Sequence, residues 1–254
     1  MSLDLQSFSM NGRLIGLGLF FLAILSSQTS SQAAERTEPF DIDPLWDGHN
    51  NRTAAQQTRK VRQDFGYSMT SHFGGPPGEF GGFITAAAEP AYYAKQIAQR
   101  SLGDFLTASG KVMCLDKRFH VLVGFFNTNT INEWRTPNSI ALRLQGRGDI
   151  FYAYVEYATS HWRAGGDSPG GFPLVRDPVT GRSRFKGFPT GTNVHDWSLS
   201  YDPAANNGAG SVTAMIDGEK SICHLDPGHR SDGATFNRFG LINVMKSADD
   251  AGDL

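Results

Sequence analysis

Six segments of this chain alternate apolar and polar residues with a period close to two, the pattern of a β-strand with one buried face. Turn-forming Gly, Asp, Asn and Pro residues separate them. The segments are HVLVGFFN (120–127), SIALRLQG (139–146), DIFYAYVEYAT (149–159), DWSLSYDP (196–203), SVTAMIDG (211–218) and RFGLINV (238–244). Short strands at such spacing predict an all-β fold, namely a two-sheet antiparallel β-sandwich with at most one or two short helices.

Composition agrees with this fold class and excludes one kind of partner. The 29 glycines and 11% aromatic residues suit many strands joined by tight turns. The net charge is −2 and the basic residues form no run, so nucleic acid is not an expected partner.

The segment 92–106 is ambiguous between a short helix and a strand-and-loop excursion.

The first 34 residues have the pattern of a secretory signal peptide. The apolar run LIGLGLFFLAIL (14–25) precedes a small and polar stretch in which Ser31 and Ala33 fit a cleavage site. A membrane span needs about 20 apolar residues, and this run is shorter. We therefore expect a secreted or periplasmic protein with no membrane span after signal removal, whose residues 35–254 form one domain.

Export permits disulfides, and the two cysteines, Cys114 and Cys223, lie in similar apolar contexts. Two states remain open: one bridge that closes a long loop, or two buried thiols.

Turn chemistry indicates how two parts of the chain are built. From Tyr201 onward, an Asp/Pro/Asn/Gly loop, a strand from Ser211 and a tight Asp217-Gly218 turn predict a three-stranded meander. The Gly/Pro-rich stretch 163–196 reads instead as a long loop, and loops of that length are often lids or binding loops.

The stretch VHDWSLSYDPAANNGAGSVTAMIDGE (194–219) resembles concanavalin A-like lectin/glucanase jelly rolls, including laminin-G-like modules. DPLWDGHNNR (43–52), DFGYS, GEFGG and RFGL are similar to stretches of exported bacterial proteins without an assigned activity. The jelly-roll resemblance implies two antiparallel sheets, one of them curved, with a concave face that binds or cleaves glycans in many members. The Glu-x-Asp-x-x-Glu string of the laminarinase-type glucanases is absent, which disfavours that group.

Alternation divides the strand 150–159 into two faces. Tyr152, Tyr154 and Glu156 share one face, and Arg143 on the preceding strand is expected to lie beside Glu156. Two phenols and a carboxylate in a row suit the floor of a sugar-binding groove. The alternative is a cross-strand ion pair without a further role.

Glu79 lies among glycines and prolines in GGPPGEFGGFI (74–84), so a rigid bend holds its carboxylate. It can act as an acid/base, bind sugar hydroxyls, or fasten its own loop by accepting backbone amides. Glycoside hydrolysis needs two carboxylates, and Glu79 with Glu156 is the pair that the sequence offers.

A polysaccharide lyase needs a base and a cation or amide that stabilises the developing charge. Suitable side chains are Tyr154, His161, His195, Arg143 and Arg163. In the loop after 126, Asn127 offers an amide and Trp134 a ring that can stack on a sugar. A packed strand end is the preferred interpretation of the run from His161 to Arg163.

The segment 43–52 collects oxygen ligands that calcium can use, but it lacks a diagnostic metal spacing, and a hydrogen-bonded loop cap is the preferred interpretation. No cofactor or metal is therefore predicted. The sequence favours an exported protein that acts on a polysaccharide, as a glycoside hydrolase or a polysaccharide lyase. The alternatives are a non-catalytic carbohydrate-binding or adhesion module and a structural domain of the cell envelope.

Overall fold

Antiparallel strands make up nearly all the regular structure of this protein. The computed structural model describes residues 35–54, 61–131, 136–166, 170–245 and 251–253, so the expected signal peptide lies outside the described residues. Within those ranges the only helix is a single turn, α1 (His229–Asp232), and no described helix is long and apolar enough to cross a membrane. The all-β prediction is confirmed.

The strands, in chain order, are β1 (Asp47–His49), β2 (Arg52–Thr53), β3 (Gln63–Ser68), β4 (Glu79–Thr85), β5 (Tyr92–Ser101), β6 (Leu106–Met113), β7 (His120–Phe126), β8 (Ser139–Arg147), β9 (Ile150–Ala158), β10 (Arg163–Gly165), β11 (Leu174–Arg176), β12 (Ser183–Phe185), β13 (Phe188–Pro189), β14 (Val194–Asp202), β15 (Ser211–Ile216), β16 (Glu219–His224), β17 (Thr235–Asn243) and β18 (Ala251–Asp253).

One large sheet forms the first layer of the sandwich. Its strand order is β1-β5-β17-β7-β8-β9-β10, and β13 also pairs with β9. The second layer consists of two four-stranded sheets, β16-β15-β14-β6 and β18-β4-β3-β2, which lie against different parts of the large sheet. Strands β11 and β12 form a separate hairpin.

The hydrophobic core lies between the two layers, and alternation decides which side chains enter it. On β9 the core-facing residues are Phe151, Ala153, Val155 and Tyr157, as the sequence pattern predicts. They meet residues of the opposing sheets, among them Leu199. Each large apolar side chain buried in this way contributes about 1.5–3 kcal/mol, so the alternating pattern specifies the register strongly.

The predicted meander is present as β14, β15 and β16. Asp217 and Gly218 join β15 to β16, and their φ angles of 49° and 81° match a two-residue turn that needs positive φ at both positions. The local sequence therefore fixes this part of the second layer.

The ambiguous segment 92–106 forms strand β5, a turn, and the start of β6. Strand β5 is paired on both sides, by β1 and β17. Neighbouring strands thus satisfy its backbone groups, and this tertiary pairing overrides the weak local helical pattern.

Two other expectations are resolved by the fold. The stretch 163–196 is only partly irregular, since it contains β10, the β11–β12 hairpin, β13 and the start of β14.

Cys114 and Cys223 are both buried and unbridged, so the state with two free thiols is the one observed. Burial raises the pKa of Cys223 to about 12, as expected for a thiol inside an apolar core.

Candidate functional site

The outer face of the large sheet, which points away from the core, is part apolar and part polar. Toward β5, β17 and β7 it carries a second apolar cluster, which includes Leu122, Phe126 and Ile242 and is packed with Val244 and Met245. Toward β7, β8 and β9 it carries six polar or aromatic side chains, which we call the polar patch. The polar patch consists of His120, Gln145, Arg143, Tyr152, Tyr154 and Glu156.

Strand register brings the polar patch together. His120 on β7 is opposite Gln145 on β8, which is opposite Tyr152 on β9, and Arg143 is directly opposite Tyr154. Except for the half-buried Tyr152, these residues are buried. The face that the sequence assigns to Tyr152, Tyr154 and Glu156 is therefore correct.

Arg143 lies at the centre of the polar patch. Its Nε is 2.7 Å from Oε1 of Glu156, and its guanidinium carbon lies 4.2 Å from the centre of the Tyr154 ring. Its Nη1 is 3.4 Å from Nε2 of His120, which must accept, because a guanidinium has no acceptor atom. Arg143 thus links a carboxylate, a phenol and an imidazole in one contact group.

Burying this ion pair costs free energy of desolvation that a purely structural feature would have to offset. The Arg143 and Glu156 side chains are only 7% and 6% exposed, so both charges have lost most of their hydration. The desolvation penalty of a buried pair commonly cancels its Coulomb attraction. A buried group of ionisable residues outside the core is more typical of a functional site than of a stabilising device.

Residues 171 and 185, which follow β10 in the chain, contact Tyr154 of the polar patch. The ring of Phe185, at the end of β12, meets the Tyr154 ring edge-on with 5.9 Å between centroids. Gly171 forms a β-bridge with Tyr154. Access to Tyr154 and Arg143 therefore depends on where these residues lie.

Glu79 begins β4 in a sheet of the second layer, whereas Glu156 is on β9 of the large sheet. Its carboxylate accepts the Thr70 hydroxyl at 2.5 Å and the His72 backbone N–H at 3.1 Å, and it also pairs with the His72 ring. Partial burial acts to raise the pKa of Glu79, but the bonds from Thr70 and His72 outweigh it and lower the pKa. This geometry is the one expected of a carboxylate that fastens its own loop.

His195 lies on β14 with its ring between the layers. It contacts Phe151 and Phe188, its Nδ1 is 2.6 Å from Asp217, and its Nε2 is 2.8 Å from the carbonyl oxygen of Pro189. Both ring nitrogens are thus engaged within the protein. The alternation of β14 predicts the same burial, because it puts His195 in the row of buried core residues on that strand.

Three other predicted residues lie around the ends of β7 and β9. Asn127 donates to the Thr235 hydroxyl at 2.8 Å and so ties the loop after β7 to the start of β17. His161 is exposed and pairs with Asp232 at 2.5 Å, and Arg163 begins the edge strand β10. Asn127 and His161 contact residues outside the polar patch, and Trp134 lies outside the described residues.

The oxygen-rich segment 43–52 is used for loop contacts. Asp47 pairs with Arg238 at 2.9 Å, Asn50 donates to the carbonyl of Pro90, and Asn51 donates to that of Phe65. Across the described ranges, no three His, Cys, Asp or Glu side chains gather closely enough to hold a metal ion.

An open cavity of about 410 Å³ lies elsewhere, between the β14–β15 loop and α1. It is lined by Gly208, Ala209, Asp226, Gly228, Arg230 and Ser231. None of these residues belongs to the polar patch, so the cavity adds nothing to the chemistry of Arg143 and Glu156.

Two members of the polar patch, His120 and Gln145, were missed from the sequence. Alternation in HVLVGFF does separate His120 from the core residues Val121 and Val123. It cannot tell which residue of β8 lies opposite His120, because register depends on pairing between distant segments.

Comparison with known proteins yields likenesses only at the level of solved structures. No family model and no curated protein matches this chain. Among solved structures, an alginate lyase from Pseudomonas aeruginosa aligns with 77% of this chain and 86% of its own, at 11% sequence identity and a TM-score of 0.35. A likeness of this size assigns neither an activity nor a substrate to this chain.

Proposed function

We propose that this protein is an exported polysaccharide lyase whose site is the polar patch. The observation that carries the proposal is the buried contact group of Arg143 with Glu156, Tyr154 and His120 on the outer face of the large sheet. It unites a cation, a carboxylate, a phenol and an imidazole, and so includes a base and a stabilising cation, which proton abstraction beside a carboxylate group needs.

The composition of the polar patch favours elimination over hydrolysis. A glycosidase of the usual kind needs two carboxyl groups about 5–9.5 Å apart across the scissile bond. Among the described residues, Glu156 is the only carboxylate of the polar patch, and Glu79 is on a strand of another sheet. A lyase needs one base and one stabilising cation, and Tyr154 and Arg143 are adjacent.

The proposed reaction is a β-elimination on a uronate residue. The Arg143 guanidinium binds the uronate carboxylate and stabilises the charge that develops when the Tyr154 phenolate removes the C5 proton. The C5–H electron pair forms the C4–C5 double bond, the bond from C4 to the glycosidic oxygen breaks, and the Tyr154 hydroxyl returns the proton to that oxygen. Glu156 and His120 orient Arg143.

A second candidate, a non-catalytic carbohydrate-binding module, is supported by a different observation. Tyr154 is only 6% exposed beneath Phe185, whereas Trp162 at the β9–β10 turn is 57% exposed. An exposed tryptophan offers a stacking surface for sugar rings without any chemistry.

A screen of the mature protein, residues 35–254, against neutral and acidic polysaccharides separates these functions. A lyase produces ultraviolet-absorbing unsaturated uronate ends together with new reducing ends. A hydrolase produces reducing ends alone, and a binding module retains the polymer without cleaving it.

Variants then assign the site. We expect Tyr154→Phe to lose turnover while still binding the polymer, and Arg143→Lys to lose both in large part, because Lys cannot reproduce the planar fork of Arg. Tyr67→Phe, on β3 of the second layer, is the matched control and should keep turnover. Glu79→Gln should also keep it, and loss of turnover in that variant would revive the two-carboxylate hydrolase.

A further inference from the structure

We propose that the β11–β12 hairpin is a binding arm for an acidic polysaccharide chain, which it holds where the chain extends beyond the polar patch. This inference rests on the proposed function, since it adds remote subsites to the same site. The observation that supports the inference is an exposed, arginine-rich hairpin whose base packs against Tyr154.

The base of the hairpin is firmly anchored. Phe172 before it and Phe188 after it are both buried in the core, and their rings meet at 5.5 Å. The Lys186 backbone N–H donates to the Pro173 carbonyl at 3.0 Å, and the Lys186 side chain pairs with Glu219 at 2.6 Å. The hairpin between these anchors is therefore preorganised, which lowers the entropy cost of binding a ligand.

The exposed part of the hairpin is strongly basic. Residues 174–185, which form the hairpin, contain three basic residues and one acidic residue in a chain of net charge −2. Arg176, Arg182 and Arg184 are all exposed. Asp177 accepts the backbone N–H groups of Val179 and Thr180 at 2.9 and 2.8 Å through Oδ1, and its Oδ2 lies 3.8 Å from Nε of Arg184. It therefore offsets part of the charge of one of the three arginines.

Strand alternation aims part of this charge at the polar patch. Leu174 pairs with Phe185, and Arg176 pairs with Ser183. Leu174, Arg176 and Phe185 thus share one face of the hairpin, and Phe185 on that face contacts Tyr154. Arg176 consequently lies on the side of the hairpin that borders the proposed reaction site.

The exposed surface suits a glycan with repeated negative charges. Leu174 and Val179 are 61% and 92% exposed, so the hairpin presents apolar groups beside its arginines. Arginine forks bind carboxylate or sulfate groups through two parallel hydrogen bonds. Sugar rings supply the apolar faces and the acidic substituents supply the charge.

The test measures binding of the mature protein to three polymers: polygalacturonate, which carries carboxylates, dextran sulfate and neutral dextran. The variant replaces Arg176, Arg182 and Arg184 by Gln. We expect about a tenfold weaker affinity for at least one acidic polymer at low salt, and a smaller salt dependence than in the wild type. Which acidic polymer responds identifies the anionic group.

A matched control removes the same number of positive charges elsewhere: Lys111→Gln, Lys220→Gln and Arg62→Gln, all exposed residues on strands of the second layer or just before them. This control should bind the acidic polymers as the wild type does, and an equal loss would overturn the inference. Equal binding of inorganic polyphosphate or duplex DNA by the wild type would overturn the glycan assignment. Unchanged affinity in the hairpin variant would contradict the role of the hairpin as a binding arm and leave the proposed function standing. A wild-type protein that neither binds nor cleaves any glycan would contradict the proposed function as well.

Discussion

Replacing Glu156 by Gln should destabilise the protein strongly, because it leaves the Arg143 charge buried beside a neutral amide. The two side chains lie 2.7 Å apart and are less than 10% exposed. Breaking a buried pair by neutralising one partner typically costs about 3–5 kcal/mol. For a domain of this size, that corresponds to a fall in Tm of about 6–20 °C.

The chain contains a pair of equal length that serves as the control. Lys111 and Asp196 are also 2.7 Å apart, but their side chains are 60% and 75% exposed. Neutralising Asp196 with Asn should cost no more than about 1 kcal/mol, since water screens an exposed pair. Distance is the same in both pairs, so the difference in burial is the main cause of the expected difference in stability.

Urea unfolding followed by tryptophan fluorescence measures both variants under one condition. Adding Arg143→Met to Glu156→Gln removes the stranded charge, and the double variant should lose less stability than the sum of the two single variants, by about 0.5–3 kcal/mol. If Glu156→Gln costs no more than Asp196→Asn, and the double variant is additive, the description of a desolvated, coupled pair is refuted.

Three further outcomes follow from the structure. The hydrogen bond from the Thr159 hydroxyl is the largest cause that lowers the pKa of Asp232 from 3.8 to about 2. The stability that this lowered pKa gives is present above about pH 4 and is lost as the pH falls toward 2. Chemical unfolding should therefore show Asp232→Asn to be less stable than the wild type near pH 6 and equally stable near pH 2. Cys114 and Cys223 should both react with a thiol reagent after unfolding without reductant, and slowly in the folded protein; no reaction after unfolding would indicate a bridge. Leu199→Ala should cost about 2–5 kcal/mol in urea unfolding, because the side chain is fully buried, and a cost below 1 kcal/mol would contradict that packing.

The parts of the fold that depend on local signals are predictable from the sequence. Asp217-Gly218 determines its own turn, so the meander follows from residues next to one another. Alternation along a single strand likewise separates Tyr154 and Glu156 from the core residues of β9. The placement of Arg143 beside Glu156 follows from one more hairpin, because β8 and β9 are consecutive strands.

Features that depend on contacts between distant segments are not readable in the same way. His120 reaches Arg143 only through the pairing of β7 with β8 across an intervening loop. Phe185 covers Tyr154 because the hairpin folds back over the large sheet, and no local pattern encodes that position. His195 is a different case, because the alternation of β14 alone predicts that its side chain is buried in the core and not on the outer face with the polar patch.

The most direct test of the polar patch as a ligand site is side-chain NMR of the mature protein during titration with oligosaccharides from a polymer that it binds. We expect the His120 and Arg143 signals to shift together with those of Tyr154, at ligand concentrations that match the binding curve. Shifts confined to other surfaces, such as the α1 region, with these three signals unchanged, would contradict the central claim that this group of side chains receives the glycan.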